Sequence, residues 1–144
     1  MSLRRLLRSE DGAAMVEFAF VLPMFLVMMA GLFDGARLIN TSLQVQASAQ
    51  AGAAYAAIHG FDSAGIQTAV AQATPLGAQA TPAPTEFVGC LVGKPIGQGD
   101  KCTGDNPLGS YVTVTAQASF TPLAPWPGLL WPNALTAQAM VRIS

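Results

Sequence analysis

The sequence predicts an α+β protein in which a long N-terminal membrane-spanning helix continues into a stalk helix packed on a small antiparallel β-sheet. Three observations support this prediction. Residues 13–33 form an apolar run with one charge, Glu17. Residues 38–58 are rich in Ala and Gln and contain no Pro. Two later segments alternate strictly between apolar and polar residues, as half-buried strands do.

Composition favours a membrane protein and argues against nucleic-acid binding. The chain has 144 residues, of which 51% are hydrophobic and 10% charged, whereas soluble domains have about 25% charged residues. The formal net charge is −1, and Lys and Arg cluster only in the leader, residues 1–12. We therefore expect no basic face and no nucleic-acid partner.

The apolar run is long enough to cross a bilayer. At about 1.5 Å rise per residue, a helix over 13–33 reaches roughly 30 Å, the thickness of the hydrocarbon core. Because basic residues hold the leader in the cytoplasm, everything after Arg37 is expected outside it. Arg37 and Asp34, the first charges after the run, share one helix face. A cleaved secretory signal is disfavoured, since neither Ala30 nor Ala36 has a small residue two positions before it.

The residues around Gly12 resemble a known processing signal. Gly12 ends the basic leader MSLRRLLRSEDG, four small or apolar residues follow, and Glu17 and Phe18 then open the apolar helix. This arrangement resembles the prepilin signal of Flp/Tad (type IVb) pili, and in particular that of TadE-like minor pseudopilins. The resemblance implies that a prepilin peptidase cuts after Gly12, so that the mature chain begins at Ala13. It also implies that Glu17 pairs with the new N-terminal amine, on its own or a neighbouring subunit.

The same resemblance implies a structural, non-enzymatic subunit of a bacterial Tad pilus, acting in pilus initiation, anchoring or assembly for adhesion or biofilm formation. The implied location is the inner membrane, with a cytoplasmic N-terminus and an extracytoplasmic domain. The implied partners are the prepilin peptidase, the Tad inner-membrane assembly platform, sister pseudopilins, the major Flp pilin and the lipid bilayer. Two alternatives stay open: an uncleaved single-pass anchor presenting a small extracytoplasmic binding domain, and an extracytoplasmic enzyme or redox protein.

Charge, apolar content and periodicity divide the chain into four segments. The predicted segments are a cytoplasmic leader over 1–12, a transmembrane helix over 13–33, an extracytoplasmic helical stalk over 34–73, and Pro/Gly-rich loops with a small antiparallel sheet over 74–144.

The stalk is predicted to continue the membrane helix to residue 58. Pro23 removes one backbone hydrogen bond within that helix, and a mild bend is expected there. A short second helix is predicted over 64–73, capped by Asp62 or Ser63. A stripe of mostly small residues suited to close packing follows the stalk at spacings of three and four: Leu38, Thr41, Val45, Ala49 and Gly52.

The C-terminal half is predicted to contain the strands. Residues 74–85 include three Pro and are expected to be an extended loop without regular structure. Residues 86–92 are β-like. Residues 110–121 and 136–143 alternate between apolar and polar side chains, which indicates half-buried antiparallel strands.

Two loops carry the remaining candidate residues. Cys90 and Cys102, the only cysteines, flank a Gly-rich segment and are predicted to form a disulfide outside the cytoplasm. The segment PLAPWPGLLWP, residues 122–132, is too rich in Pro for a strand. Its Trp126 and Trp131 are expected to pack across the domain or onto a neighbour.

The residue pattern gives no sign of catalysis. The two cysteines have the wrong spacing for a CxxC redox motif and lack companion His or Cys ligands for zinc. No Gly-rich phosphate loop is present. His59, the only histidine, is expected to interact with exposed carbonyls at a helix end. We therefore predict no catalytic residue, no cofactor and no metal site.

Overall fold

The computed structural model describes residues 10–90, 108–123 and 132–144, with side chains from Ala14 onward. The described chain is α+β, which confirms the predicted fold class. Its elements, in chain order, are α1 (Glu10–His59), α2 (Ser63–Gln72), β1 (Gln79–Ala80), β2 (Thr85–Gly89), β3 (Gly109–Ser119) and β4 (Ala134–Arg142).

Helix α1 runs for 50 residues, through Pro23 and without interruption. It therefore joins the apolar run and the stalk in one element. Gly60 ends it with a φ of 78°, a left-handed conformation that side chains with a Cβ rarely adopt. The Gly60 N–H donates to the Ala56 carbonyl at 2.9 Å, which satisfies one of the last carbonyls of the helix.

Helix α2 begins and ends within one residue of its predicted bounds. Asp62 is the N-cap, with extended backbone, and its Oδ1 accepts a hydrogen bond from the Ala64 N–H at 3.2 Å. This bond satisfies a donor that would otherwise lack a partner in the first turn. The helix buries Ile66 and Val70 against the rest of the domain.

Strand β3 is the centre of an antiparallel sheet. β4 pairs along one edge of β3, and β2 and β1 pair along the other. The prediction that residues 74–85 lack regular structure is wrong at Gln79 and Ala80, which pair with Gln117 and Ala116. These two residues lie between the prolines and keep their backbone N–H groups, so they can join a ladder.

The core lies between the helices and one face of the sheet. The stalk stripe contributes Val45, Ala49 and Gly52, all of them buried, and Leu38 and Thr41 are partly buried. The alternating residues of β3 supply the opposite side of the core: Val112, Val114 and Ala116. The helical periodicity of the stalk and the two-residue periodicity of β3 thus identified the two sides of the contact between α1 and the sheet.

Strand β3 runs antiparallel to the second half of α1. Asp34 contacts Leu123, just after β3, and Gly52 lies against Val114 in the middle of β3. Between Asp34 and Gly52 the helix rises about 27 Å at about 1.5 Å per residue. From Leu123 back to Val114 an extended chain covers about 30 Å at about 3.3 Å per residue. The matching lengths place the C-terminal end of β3 beside the end of the apolar run.

Gly52 marks the closest approach of α1 to the domain, and its substitution tests the packing. A Cβ at Gly52 would lie 2.6 Å from Val70 Cγ2 and 2.9 Å from Val114 Cγ1, whereas a Cβ at Gly35 would meet no atom within 4 Å. Both substitutions to Ala gain the same intrinsic helix propensity. We expect Gly52→Ala to be less stable than Gly35→Ala by about 1–3 kcal/mol, because the core is overpacked. Chemical unfolding in detergent micelles measures this difference, and equal stabilities would contradict the packing.

Candidate functional site

The first half of α1 exposes an apolar surface. Every large apolar side chain between Met15 and Phe33 is at least 38% exposed, and Phe20 reaches 78%. This helix is long and apolar enough to cross a membrane, with a mean hydropathy of 2.2 over its most apolar window. A surface of this size is costly in water and favourable in a bilayer, so the helix fits a single-pass membrane protein.

Glu17 and Phe18 lie on this exposed surface, and Phe18 is 63% exposed. Within the described part of the chain, the structure records no hydrogen bond or ion pair for the Glu17 carboxylate. Glu17 follows Ala13 by four residues, a spacing that puts two residues on one helix face a turn apart. Gly12 lies within α1, two residues after Glu10, the first described residue.

Asp34 occupies the point where the apolar surface ends, and its side chain is fully buried. Both carboxylate oxygens accept a hydrogen bond from the Leu123 N–H, at 2.9 and 3.1 Å. The Arg37 guanidinium also donates to Asp34, with Nη1 3.2 Å from Oδ1. A buried carboxylate is tolerated only when hydrogen bonds and an opposite charge replace its hydration, and this one has both.

Arg37 extends the same contact toward the end of β3. Its Nη1 lies 3.5 Å from the Thr121 carbonyl oxygen, and its guanidinium carbon lies 5.8 Å from the centroid of the Phe120 ring. Asp34 and Arg37 therefore hold the segment 120–123 against α1. We call this group of contacts the junction: Asp34, Arg37, Phe120, Thr121 and Leu123.

Only half of the junction could be predicted from the sequence. The spacing of Asp34 and Arg37 indicated that they share a helix face, but nothing in that spacing identifies Leu123, which is 89 positions later. The donor is a backbone N–H, a group that every residue except Pro carries. The residue types in the sequence therefore could not have identified Leu123 as the partner of Asp34.

The other end of α1 is held by aromatic stacking. The rings of Tyr55 and His59 lie 4.3 Å apart, and the His59 Nδ1 is 3.2 Å from the Tyr55 carbonyl oxygen. The Tyr55 hydroxyl donates at 3.4 Å to Oδ2 of Asp62, the N-cap of α2. His59 is thus engaged at the helix end, and it stabilises the turn between the two helices.

Of the candidate residues in the two loops, the structure describes Cys90. Cys90 follows β2, is partly buried and is not free. Cys102, Trp126 and Trp131 lie outside the described residues, so their predicted contacts stay predictions. In the three described ranges, no group of three or more His, Cys, Asp or Glu residues could hold a metal ion.

An apolar helix that continues without a break into a helix-on-sheet domain fits a single-pass membrane protein with a small domain attached to its membrane helix. Residues 12–54 match the model of the TadE-like protein family, and the resemblance inferred from the sequence is confirmed over that segment. Over that segment the chain is similar to TadE-like proteins, a family of the Tad/Flp pilus system. The matched segment starts at Gly12 and includes Glu17, Asp34 and Arg37. Searches of the curated proteins and of the solved structures gave no match.

Substitution of Asp34 tests the junction. Asp34→Ala should lower the free energy of unfolding by about 2–4 kcal/mol, because the Leu123 N–H loses a charged acceptor and Arg37 loses its counter-charge. Asp34→Asn keeps one acceptor oxygen and should cost about half as much.

Arg37→Ala is the matched control. The Arg37 side chain is 44% exposed, so its loss should cost about 1 kcal/mol or less. Chemical unfolding in detergent micelles, with limited proteolysis of the folded state, gives the order of the three variants. If Arg37→Ala costs as much as Asp34→Ala, the hydrogen bonds to Leu123 do not hold the junction.

Proposed function

We propose that this chain is a minor pseudopilin of a Tad pilus, a structural and non-enzymatic subunit that acts in pilus initiation, anchoring or assembly for adhesion or biofilm formation. One observation carries the proposal. The match to the TadE-like family begins at Gly12, the proposed cleavage site, and continues over the exposed apolar helix that bears Glu17. The proposed partners are the prepilin peptidase, the Tad assembly platform in the inner membrane, sister pseudopilins and the major Flp pilin.

Processing after Gly12 is supported by the match to the TadE-like family, which begins at that residue. Gly12 has no side chain, so a peptidase can approach its backbone closely. The leader would stay in the cytoplasm and the domain would lie outside it.

The role proposed for Glu17 follows from the new N-terminus. Cleavage creates an amine on Ala13, one helical turn before Glu17. A single charge buried in apolar surroundings is costly, whereas an amine and a carboxylate that pair offset much of each other's cost. Packing of subunits in the membrane would then favour the register that brings a Glu17 carboxylate to an Ala13 amine, on the same or a neighbouring subunit.

Through the junction, the subunit register set by Glu17 would also affect the domain outside the membrane. Asp34 and Arg37 fix the domain to α1 where the apolar surface ends, and the helix is continuous from Glu17 to the domain. An axial position set by Glu17 would therefore be transmitted to the domain with no flexible linker between them.

We further propose a disulfide between Cys90 and Cys102, the only two cysteines of the chain. The finding that Cys90 is not free supports it. Closing a loop of this size contributes roughly 3 kcal/mol in the chain-entropy model. Both cysteines should resist alkylation in protein taken from the cell envelope, as measured by thiol trapping and non-reducing electrophoresis. Two reactive thiols would refute the pairing and favour a redox function.

Gly12→Val should block cleavage and leave the full-length chain in the membrane, because a branched side chain replaces hydrogen at the bond to be cut. Gly35→Val is the matched control, since a Cβ there meets no atom within 4 Å and the residue is far from the cleavage site. Intact-mass measurement of the membrane form gives the N-terminal residue, with Ala13 expected for the unmutated chain and the control. Retention of residues 1–12 in cells with an active prepilin peptidase would favour the uncleaved anchor.

Glu17→Gln should leave insertion and cleavage intact but impair pilus assembly. Insertion should survive because removing a charge favours the membrane, by about 2.5–3.5 kcal/mol at mid-membrane and less near the interface. Assembly should suffer because the Ala13 amine loses its counter-charge, at a cost of several kcal/mol. Glu17→Asp keeps the charge and should retain part of the function.

The measurement is the yield of sheared filaments beside the membrane level of the cleaved subunit. Unchanged piliation for Glu17→Gln at the abundance of the unmutated subunit would show that Glu17 is an interface residue without a role in assembly.

A further inference from the structure

We propose that the end of the domain nearest the apolar helix rests on the lipid bilayer, with Leu123 in the boundary between headgroups and acyl chains. The proposal rests on the membrane placement of residues 14–33 and adds to it a second point of contact with lipid. No part of it depends on cleavage or on Glu17.

Leu123 is held at the end of the apolar run. Its N–H donates to both oxygens of Asp34 at 2.9 and 3.1 Å, and Asp34 directly follows Phe33, the last residue of the apolar run. Leu123 is therefore held at the level where the helix leaves the hydrocarbon core. This contact leaves no room for a water-filled gap between this end of the domain and the end of the apolar run.

The Leu123 side chain is 70% exposed, although its backbone is held against α1. Leu32 and Phe33, one turn or less before Asp34, are 68% and 61% exposed. The apolar surface of the helix thus continues onto the domain at Leu123, and one apolar environment can cover both.

Leu123 lies in a long uncharged stretch of the sequence. Residues 120–141 contain no Asp, Glu, Lys or Arg, and the charges of Asp34 and Arg37 pair with each other at the junction. The start of β4 lies at the same end, because the Phe120 N–H donates to the Asn133 carbonyl at 2.9 Å. Among the described residues, this end of the domain can approach lipid without desolvating an unpaired charge, the main cost of entering a membrane interface.

Lipid is favoured over a second copy of the chain because the contact is built into one molecule. The helix holds Leu123 beside the membrane whether or not another subunit is present. Ile58 is an exposed apolar side chain that lies far from the apolar run. Ile58 is 78% exposed, but it lies about 36 Å further along α1 than Asp34 at about 1.5 Å per residue. Ile58 is therefore a matched control of similar exposure on the same domain.

The test compares three cysteine variants of the full chain, Leu123→Cys, Ile58→Cys and Phe25→Cys, each labelled with an environment-sensitive fluorophore. The unmutated chain, treated identically, gives the background from Cys90 and Cys102. The proteins are reconstituted in vesicles of phosphatidylethanolamine and phosphatidylglycerol that carry a nitroxide quencher on a fraction of the lipids. We expect the Phe25 and Leu123 labels to be quenched several-fold more than the Ile58 label.

The outcomes separate this proposal from the membrane placement. A quenched Phe25 label with a Leu123 label as little quenched as that at Ile58 would overturn the proposal and leave the membrane helix intact. An unquenched Phe25 label would refute the membrane helix itself, and the lipid contact with it. A Leu123 label that reports an apolar environment without quenching would show that protein, such as a second copy, covers this end, which also overturns the proposal.

Discussion

Helix α1 passes from an exposed apolar surface to a packed domain at Asp34, and its backbone hydrogen bonds continue through that point. The rest of the fold depends on how this transition is made. A carboxylate between a membrane and a protein core must replace its hydration, and Asp34 does so with Arg37 and the Leu123 N–H. Because that N–H belongs to the segment after β3, the contact fixes where the sheet lies along the helix.

The packing further along α1 agrees with this position. Small residues let the helix approach the sheet closely, and Gly52 meets Val70 and Val114 at distances that leave no room for a Cβ. The junction and Gly52 hold α1 at two points about 27 Å apart at about 1.5 Å per residue. A helix held at two such points has little freedom to tilt against its domain, so a displacement of the membrane segment would move the domain with it.

Two carboxylates on α1 illustrate the division between fold and function. Asp34 is buried and its hydrogen bonds are made within the chain. Glu17 is exposed among apolar side chains, and the structure records no hydrogen bond or ion pair between it and any described residue. The first carboxylate stabilises the domain. The second has no recorded partner among the described residues, which agrees with the proposed pairing with an N-terminal amine.

The sequence by itself determined the features that depend on local periodicity and spacing. These include the long helix with its small-residue stripe, the start of α2 with a cap at Asp62 or Ser63, the alternating faces of β3 and β4, and the likeness of the Gly12–Glu17 region to TadE-like proteins, which the family match confirms. Periodicity carries this information because helices and strands repeat their side-chain directions over a few residues.

Only the tertiary structure decided which distant groups meet. The pairing of Gln79 and Ala80 with β3 occurs inside a segment whose prolines predicted no regular structure, because a ladder needs only two free N–H groups and an adjacent edge. The contact between Asp34 and Leu123 joins a side chain to a backbone group 89 positions away. Backbone groups are the same at nearly every position, so packing alone selects the one that a buried carboxylate binds.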